Sequence, residues 1–166
     1  MERNLPRRRL VHDELTRTII GAFYDVYNAL GFGFLEQIYM NALAIALERA
    51  GLLVERERVY DVPFRDVTVG RHRVDMLVEK SVLVEGKATH VIVDADRRQT
   101  MNYLRCTQLD VALLLHFGPR PSFQRIVMGE EFTRSRNSPR GGEDAATSTR
   151  VHSGNCLITD DADPRG

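Results

Sequence analysis

Residues 71–87 read RHRVDMLVEKSVLVEGK, and this stretch is the most informative part of the chain. Apolar, mostly β-forming residues lie on both sides of a single break at Glu79, Lys80 and Ser81. Two such runs separated by so short a break predict an antiparallel hairpin, with strands over residues 71–79 and 82–88. This hairpin is therefore the expected centre of both the fold and the chemistry of the chain.

Three charged residues, Asp75, Glu85 and Lys87, interrupt these apolar strands. If Val78 pairs with Val82, Asp75 lies directly opposite Glu85, with β-carbons about 5 Å apart. Strand alternation places Glu85 and Lys87 on one face. Two carboxylates at that separation can share one hard cation, although a one-residue shift in the turn would move Asp75 to the other face.

The plainer alternative is an ordinary hairpin with a Lys–Glu pair on its surface, because motifs this short also arise by chance. The distribution of positive charge favours the functional interpretation. Lys80 and Lys87 are the only lysines of the chain, which otherwise draws its positive charge from arginine. One of the two thus lies where a compact ammonium, rather than a planar guanidinium, would matter.

The remaining pattern predicts an α/β fold: a small mixed β-sheet flanked by helices. Helices are expected over residues 13–30, from about 35 to 47, and over 94–106. Further strands are expected over residues 54–60, 109–117 and 123–128, with a loop over 63–70.

The length and composition predict one folded domain with additional segments at its ends. We expect a flexible lead over residues 1–12, the domain over 13–128, and a disordered tail over 129–166, which is dominated by Ser, Thr, Gly, Asp and Arg. The formal net charge is zero, so any surface that binds phosphates must be local.

The chain shows no pattern typical of secretion, membrane insertion or a zinc site. No apolar run is long enough to span a bilayer, and Cys106 and Cys156 lie in unrelated contexts. A reduced, cytoplasmic location is therefore expected. The five histidines lack the spacing of zinc ligands; they are His12, His72, His90, His116 and His152.

Three further residues join the candidate site. Gln99 and Tyr103 are four apart on the third predicted helix, so they share a face. Glu36 lies in the first turn of the second helix, beside its apolar face. The alternatives are that Tyr103 is part of the core, that Gln99 is solvated, and that Glu36 only complements the helix dipole.

These residues carry a resemblance to a known family. Residues 33–39, GFLEQIY, match the pattern GxxExxY in full, and Arg73-x-Asp75, Glu85-x-Lys87 and Gln99-x-x-x-Tyr103 follow in order. The chain resembles the GxxExxY family of the PD-(D/E)XK nuclease superfamily over about residues 14–128. Its QxxxY element is similar to that of the RecB-like branch.

The resemblance implies a restriction-endonuclease-like core and a Mg²⁺ cofactor, for which Mn²⁺ can substitute. Asp75 and Glu85 would be metal ligands, together with the backbone carbonyl of Gly86, and Glu36 would be a further acidic ligand. Lys87 would orient or deprotonate the attacking water, and Gln99 and Tyr103 would steady that arrangement. Gly86 departs from the family pattern, which usually has a bulky apolar residue there, and a glycine weakens a strand.

The expected function is that of a Mg²⁺-dependent nuclease that hydrolyses phosphodiester bonds, of DNA in the first instance, by means of metal-activated water. Arg73, Arg97 and Arg98 are candidates for contact with nucleic-acid phosphates, the alternative being that they are solvated. An alternative function is a catalytically inactive module of the same fold that binds nucleic acid or a protein partner. A third is a nuclease subunit that depends on a protein partner for recognition of its substrate.

Overall fold

A computed structural model describes residues 12–128 of the chain as three helices and five strands. In chain order these are α1 (Asp13–Leu30), α2 (Glu36–Arg49), β1 (Val54–Phe64), β2 (Val67–Val78), β3 (Val82–Lys87), α3 (Asp94–Thr107), β4 (Val111–His116) and β5 (Ser122–Val127). The order matches the sequence prediction. Among the described residues, no helix is both long and apolar enough to cross a membrane.

The five strands form one mixed sheet in the order β1-β2-β3-β4-β5. All neighbouring pairs are antiparallel except β3 and β4, which are parallel. Parallel neighbours need a crossover, and α3 provides it. The predicted small mixed sheet flanked by helices is confirmed, and its arrangement is that of a restriction-endonuclease-like fold.

Two apolar clusters hold the helices against opposite faces of the sheet. The first contains side chains of α1 and α2, including Phe23 and Leu43, packed on Val84 and Leu113 of the central strands. The second contains Leu104 of α3 and the side chains that point the other way. Because both faces are covered, β3 and β4 are almost continuously buried, which explains their unbroken apolar sequence.

The hairpin between β2 and β3 has the predicted register. Val78 pairs with Val82, and the ladder continues to Met76 and Val84. The ladder ends at that pair, so the predicted pairing of Asp75 with Glu85 stays a prediction.

Regular alternation is nevertheless interrupted at Asp75. Val74 packs in the cluster beneath α3, whereas Met76 packs in the cluster beneath α1 and α2. Two residues separated by one position would share a face in a regular strand. The chain therefore changes faces at Asp75, and the neighbouring strand has an irregularity at the same level, where Glu57 has a φ of 52°.

The expected loop over residues 63–70 is wrong, because β1 and β2 occupy all of this range except residues 65 and 66. β1 runs to Phe64 and β2 begins at Val67. Pro63 suggested a break, but β1 is the edge strand of the sheet, where a missing N–H is tolerated, and the register shifts between Val62 and Pro63. The expected flexible lead and disordered tail lie outside the described residues, apart from His12 of the lead.

Close packing explains the glycine at position 86. A β-carbon built on Gly86 would lie 2.5 Å from Sδ and 3.0 Å from Cγ of Met40, a buried residue of α2. Met40 therefore fills the space that a larger residue at position 86 would occupy. A β-carbon at position 86 would require the end of the Met40 side chain to shift, and α2 lies close to β3 at this point.

This packing gives the first testable prediction. Gly86→Ala is expected to lower the free energy of unfolding by roughly 1–3 kcal/mol, because it overpacks the core against Met40. Gly70→Ala is a matched control, since Gly70 is also in a strand and nothing lies within 4 Å of its β-carbon position. Denaturant unfolding measures both.

A double-mutant cycle with Met40→Ala tests the cause of that loss. The cost of Gly86→Ala should fall substantially when Met40 is already truncated, because the colliding atoms are gone. Equal costs in both backgrounds would contradict the proposed collision.

Candidate active site

Glu85 and Lys87 form an ion pair at the end of β3, beneath α3. Nζ of Lys87 donates a hydrogen bond of 2.9 Å to Oε1 of Glu85. Only 4% of the Glu85 side chain and 15% of the Lys87 side chain are exposed. The pair is thus not the ordinary surface pair that was the alternative from sequence.

Asp75 lies beside this pair and is tied to the same strand. Its Oδ2 accepts a hydrogen bond of 2.9 Å from the backbone N–H of Gly86. Burial raises the pKa of Asp75, and the Gly86 N–H and the Lys87 charge oppose this only in part. β2 and β3 therefore bring two carboxylates to one place.

The Glu85 carboxylate is the least well compensated group of the site. Its Oε2 is buried and has no hydrogen-bond partner among residues 12–128. Burial, and then the charge of Asp75, raise the pKa of Glu85 to about 7, against the lowering effect of Lys87. A buried carboxylate oxygen without a donor favours an additional cation.

The donor set fits a hard divalent cation such as Mg²⁺. Mg²⁺ prefers oxygen ligands and is held by one or two protein carboxylates while it keeps several waters. Asp75 and Glu85 supply two carboxylates. Within the described part of the chain, no three or more His, Cys, Asp or Glu side chains are grouped so that they could hold a metal ion by themselves.

Glu36 approaches the site from the opposite face of the sheet. It is the first residue of α2, and its Oε2 accepts a hydrogen bond of 3.3 Å from the backbone N–H of Ala88. Its Cγ lies 3.8 Å from the β-carbon position of Gly86. Burial raises the pKa of Glu36, with a further upward contribution from Asp75. A residue that only complemented a helix dipole would not need this contact with β3.

The state of Lys87 bears on its role. Burial disfavours its charged form, but the hydrogen bond to Glu85 and the charges of Glu85, Glu36 and Asp75 together raise the pKa of Lys87. Lys87 is therefore an ammonium ion in the metal-free protein. This state suits a donor that orients or neutralises an anion better than a group that removes a proton.

Gln99 and Tyr103 lie on α3 above the Glu85 face, and they contact one another. Nε2 of Gln99 donates a hydrogen bond of 2.9 Å to the Tyr103 hydroxyl. Tyr103 is buried in the core, as the plainer alternative held, and Gln99 is exposed. Burial, followed by the charge of Glu85, raises the pKa of Tyr103, which places its phenol within the field of the carboxylates.

The three candidate arginines are all exposed. Nη1 of Arg73 lies 3.7 Å from Oε2 of Glu57. The side chains of β2 change faces at Asp75, so the two-residue spacing of Arg73 and Asp75 does not place them on one face. Arg97 and Arg98 are on the solvent side of the first turns of α3, after the loop that follows Lys87.

Sequence reasoning missed a histidine beside this site. His116 is buried at the end of β4, opposite Lys87 in the parallel ladder, and its Nε2 lies 2.7 Å from the carbonyl oxygen of Thr89. The ring occupies the space above Gly118, where a β-carbon would lie 2.3 Å from Nε2. Only the position of a histidine at the end of an apolar run hinted at it.

The raised pKa of Glu85 predicts a pH dependence of stability in the metal-free protein. The Glu85 carboxyl has a pKa of about 7 in the folded protein, against the ordinary value of 4.5, so the folded state binds its proton more tightly than the unfolded state does. This contribution is fully present below pH 4.5 and is lost as the pH rises through about 7, by roughly 3 kcal/mol. The free energy of unfolding in EDTA should therefore fall between pH 5 and pH 8.

Glu85→Gln isolates this contribution, because an amide does not ionise and its oxygen can still accept from Lys87. The variant should lose most of the fall between pH 5 and pH 8, whereas Glu48→Gln, at an exposed position of α2, should retain it. Parallel pH profiles for wild type and Glu85→Gln would contradict the assignment.

Comparison with known proteins identifies the superfamily of the chain. No curated protein matches the chain closely. The solved crystal structure of SSO0001 is similar, with 19% sequence identity, a TM-score of 0.47, and coverage of 78% of this chain and 70% of that chain. A family model described as the PD-(D/E)XK nuclease superfamily matches residues 13–126. This match spans well over half of the 166 residues, and the chain therefore belongs to the PD-(D/E)XK nuclease superfamily.

Proposed function

We propose that this protein is a Mg²⁺-dependent nuclease that hydrolyses phosphodiester bonds of DNA. The observation that carries the proposal is the buried Oε2 of Glu85, which has no hydrogen-bond partner among residues 12–128. The same carboxylate forms an ion pair with Lys87 and is close enough to Asp75 for that charge to raise its pKa. Membership of a nuclease superfamily supports hydrolysis as the reaction. The order of the four motifs supports a narrower placement in the GxxExxY family, with the QxxxY element of the RecB-like branch.

In this proposal Asp75 and Glu85 hold the cation, with the Gly86 carbonyl and Glu36 as further ligands. Mg²⁺ is the proposed cofactor, and Mn²⁺ can replace it because it accepts the same oxygen donors. When bound, such a cation polarises a phosphoryl oxygen and lowers the pKa of a water molecule. The raised pKa of Glu85 favours this arrangement, because a cation stabilises the ionised carboxylate that burial disfavours.

Lys87 is the proposed donor to the reacting groups. As an ammonium it can orient the water and offset the negative charge that develops on the phosphate. In the reaction the water oxygen gives up a proton and forms a bond to phosphorus, the bond from phosphorus to the sugar oxygen breaks, and the sugar oxygen takes up a proton, which yields a phosphate monoester and an alcohol. Gln99 and Tyr103 hold the Glu85 face of the site in place from α3.

Substrate contact is assigned to exposed arginines. Arg73, Arg97 and Arg98 are proposed to bind backbone phosphates, which would give salt-dependent affinity without sequence specificity. The proposed nuclease domain covers residues 13–128. We also propose that the protein is cytoplasmic and that it acts with a protein partner.

An inactive module that binds nucleic acid or protein is the alternative function. The absence of a complete metal cage among the described residues favours it. The departure of Gly86 from the family pattern does not favour it, since Met40 packs in the space beside that glycine.

A cleavage assay separates these functions. Wild-type protein should cleave labelled single- or double-stranded DNA with Mg²⁺ and not with EDTA. Asp75→Asn and Lys87→Met should each lower the rate by at least about 100-fold, because each removes a group that acts on the developing charge. Lys80→Met is the matched control: it removes the other lysine, at an exposed turn, and should cleave like wild type.

Two results would contradict the nuclease. One is an absence of metal-dependent cleavage of either DNA form. The other is cleavage that survives both Asp75→Asn and Lys87→Met, which would point to a contaminating enzyme.

A further inference from the structure

Exposed apolar side chains gather at the start of α2 and in the loop after β3. Their exposed fractions lie between 40% and 76%, and the residues are Phe32, Phe34, Leu35, Ile38, Val91 and Val93. Single exposed apolar residues are normal on protein surfaces, but a group of them borders a binding site more often than not. We call Phe32, Phe34 and the exposed His90 the aromatic rim.

The α2 side of the rim is held rigidly by Tyr39. The buried Tyr39 hydroxyl donates a hydrogen bond of 2.6 Å to the Gly31 carbonyl and accepts one of 3.2 Å from the Phe34 N–H. Its ring stacks on Phe117 of the core, with centroids 4.5 Å apart. The turn that presents Phe32 and Phe34 is therefore anchored to the core, although the two rings are exposed.

The β3 side of the rim is held by His116. The Thr89 carbonyl can only accept, so the contact of 2.7 Å assigns the proton to Nε2 of His116. This bond fixes the backbone just before His90. The rings of His90 and Phe32 then meet edge to face, with centroids 5.5 Å apart, and join the two sides.

Both segments of the rim are connected to one carboxylate of the site, that of Glu36. Glu36 follows Phe34 by two residues, and its carboxylate accepts from Ala88, which lies two residues before His90. Both segments of the rim thus lead into the same contact between α2 and β3. The rim therefore adjoins the Glu36 side of the proposed site, at the end of the strand that carries Glu85 and Lys87.

We infer that the aromatic rim is a stacking subsite for an unpaired nucleobase adjacent to the phosphodiester that is cleaved. This inference rests on the proposed nuclease function and specifies its substrate as nucleic acid with unpaired bases near the cleavage site. In a duplex the faces of the bases are covered by their neighbours, whereas an unpaired base exposes a face that can stack on an aromatic ring. We favour a nucleobase over a protein partner because both segments of the rim meet at the Glu36–Ala88 contact, next to the strand that carries Glu85 and Lys87.

A fluorescence experiment tests the subsite without relying on cleavage. The probe is a single-stranded oligonucleotide of ten thymidines with one central 2-aminopurine, titrated with the full-length protein in EDTA. Stacking on an aromatic ring quenches 2-aminopurine, so wild type should quench it. The double variant Phe32→Leu/Phe34→Leu should lose the quenching and weaken binding roughly 5- to 150-fold, since stacking contributes about 1–3 kcal/mol per base.

Three comparisons make the result specific. Phe123→Leu removes a ring of similar exposure on β5 and should quench like wild type. Asp75→Asn should retain quenching even though it abolishes cleavage. A blunt duplex containing the same probe should bind wild type and Phe32→Leu/Phe34→Leu equally.

The outcomes distinguish the subsite from the nuclease. Wild type that does not quench the probe, or a double variant that quenches like wild type, overturns the subsite even if the protein cleaves DNA with Mg²⁺. Quenching that depends on Phe32 and Phe34 supports the subsite even if no cleavage is found, in which case the nuclease is what fails. If wild type sediments as a dimer and the double variant as a monomer, the rim is a self-association surface, and this result would also overturn the subsite.

Discussion

The burial of the Glu85 carboxylate is the constraint on which the rest of the site depends. β3 is a central strand with both faces covered, and a carboxylate there is stable only when its charge is compensated. Lys87 compensates one oxygen, while the other has no donor among the described residues. Asp75 adds a second negative charge at the same place, so the fold concentrates uncompensated negative charge where a cation would relieve it.

The topology of the sheet explains why these groups meet. β2 and β3 are hydrogen-bonded neighbours, so their register sets Asp75 beside the backbone of Gly86. At Asp75 the side chains of β2 change faces of the sheet, so regular alternation does not fix the direction of the Asp75 side chain. From the other layer, the close approach of α2 to Gly86 allows Glu36 to reach Ala88.

Much of this arrangement could be predicted from the sequence, because it depends on local patterns. The helix periodicities, the register of Val78 with Val82, and the pairing of Gln99 with Tyr103 follow from spacing within single elements or a short turn. The extension of β1 through Pro63 could not be predicted, because it depends on β1 being an edge strand, which is a property of the whole sheet. The contacts of Met40 with Gly86 and of His116 with Thr89 were also missed, since they join residues far apart in the chain and no periodicity marks them.

The most direct test of the central claim is a crystal structure of the protein soaked with Mn²⁺, in which anomalous scattering locates the ion. The account predicts one Mn²⁺ in contact with carboxylate oxygens of both Asp75 and Glu85, with Oε2 of Glu85 among its ligands, and its loss in Glu85→Gln. A crystal in which Mn²⁺ binds elsewhere, or in which Oε2 of Glu85 stays buried without the ion at high Mn²⁺ concentration, would contradict it.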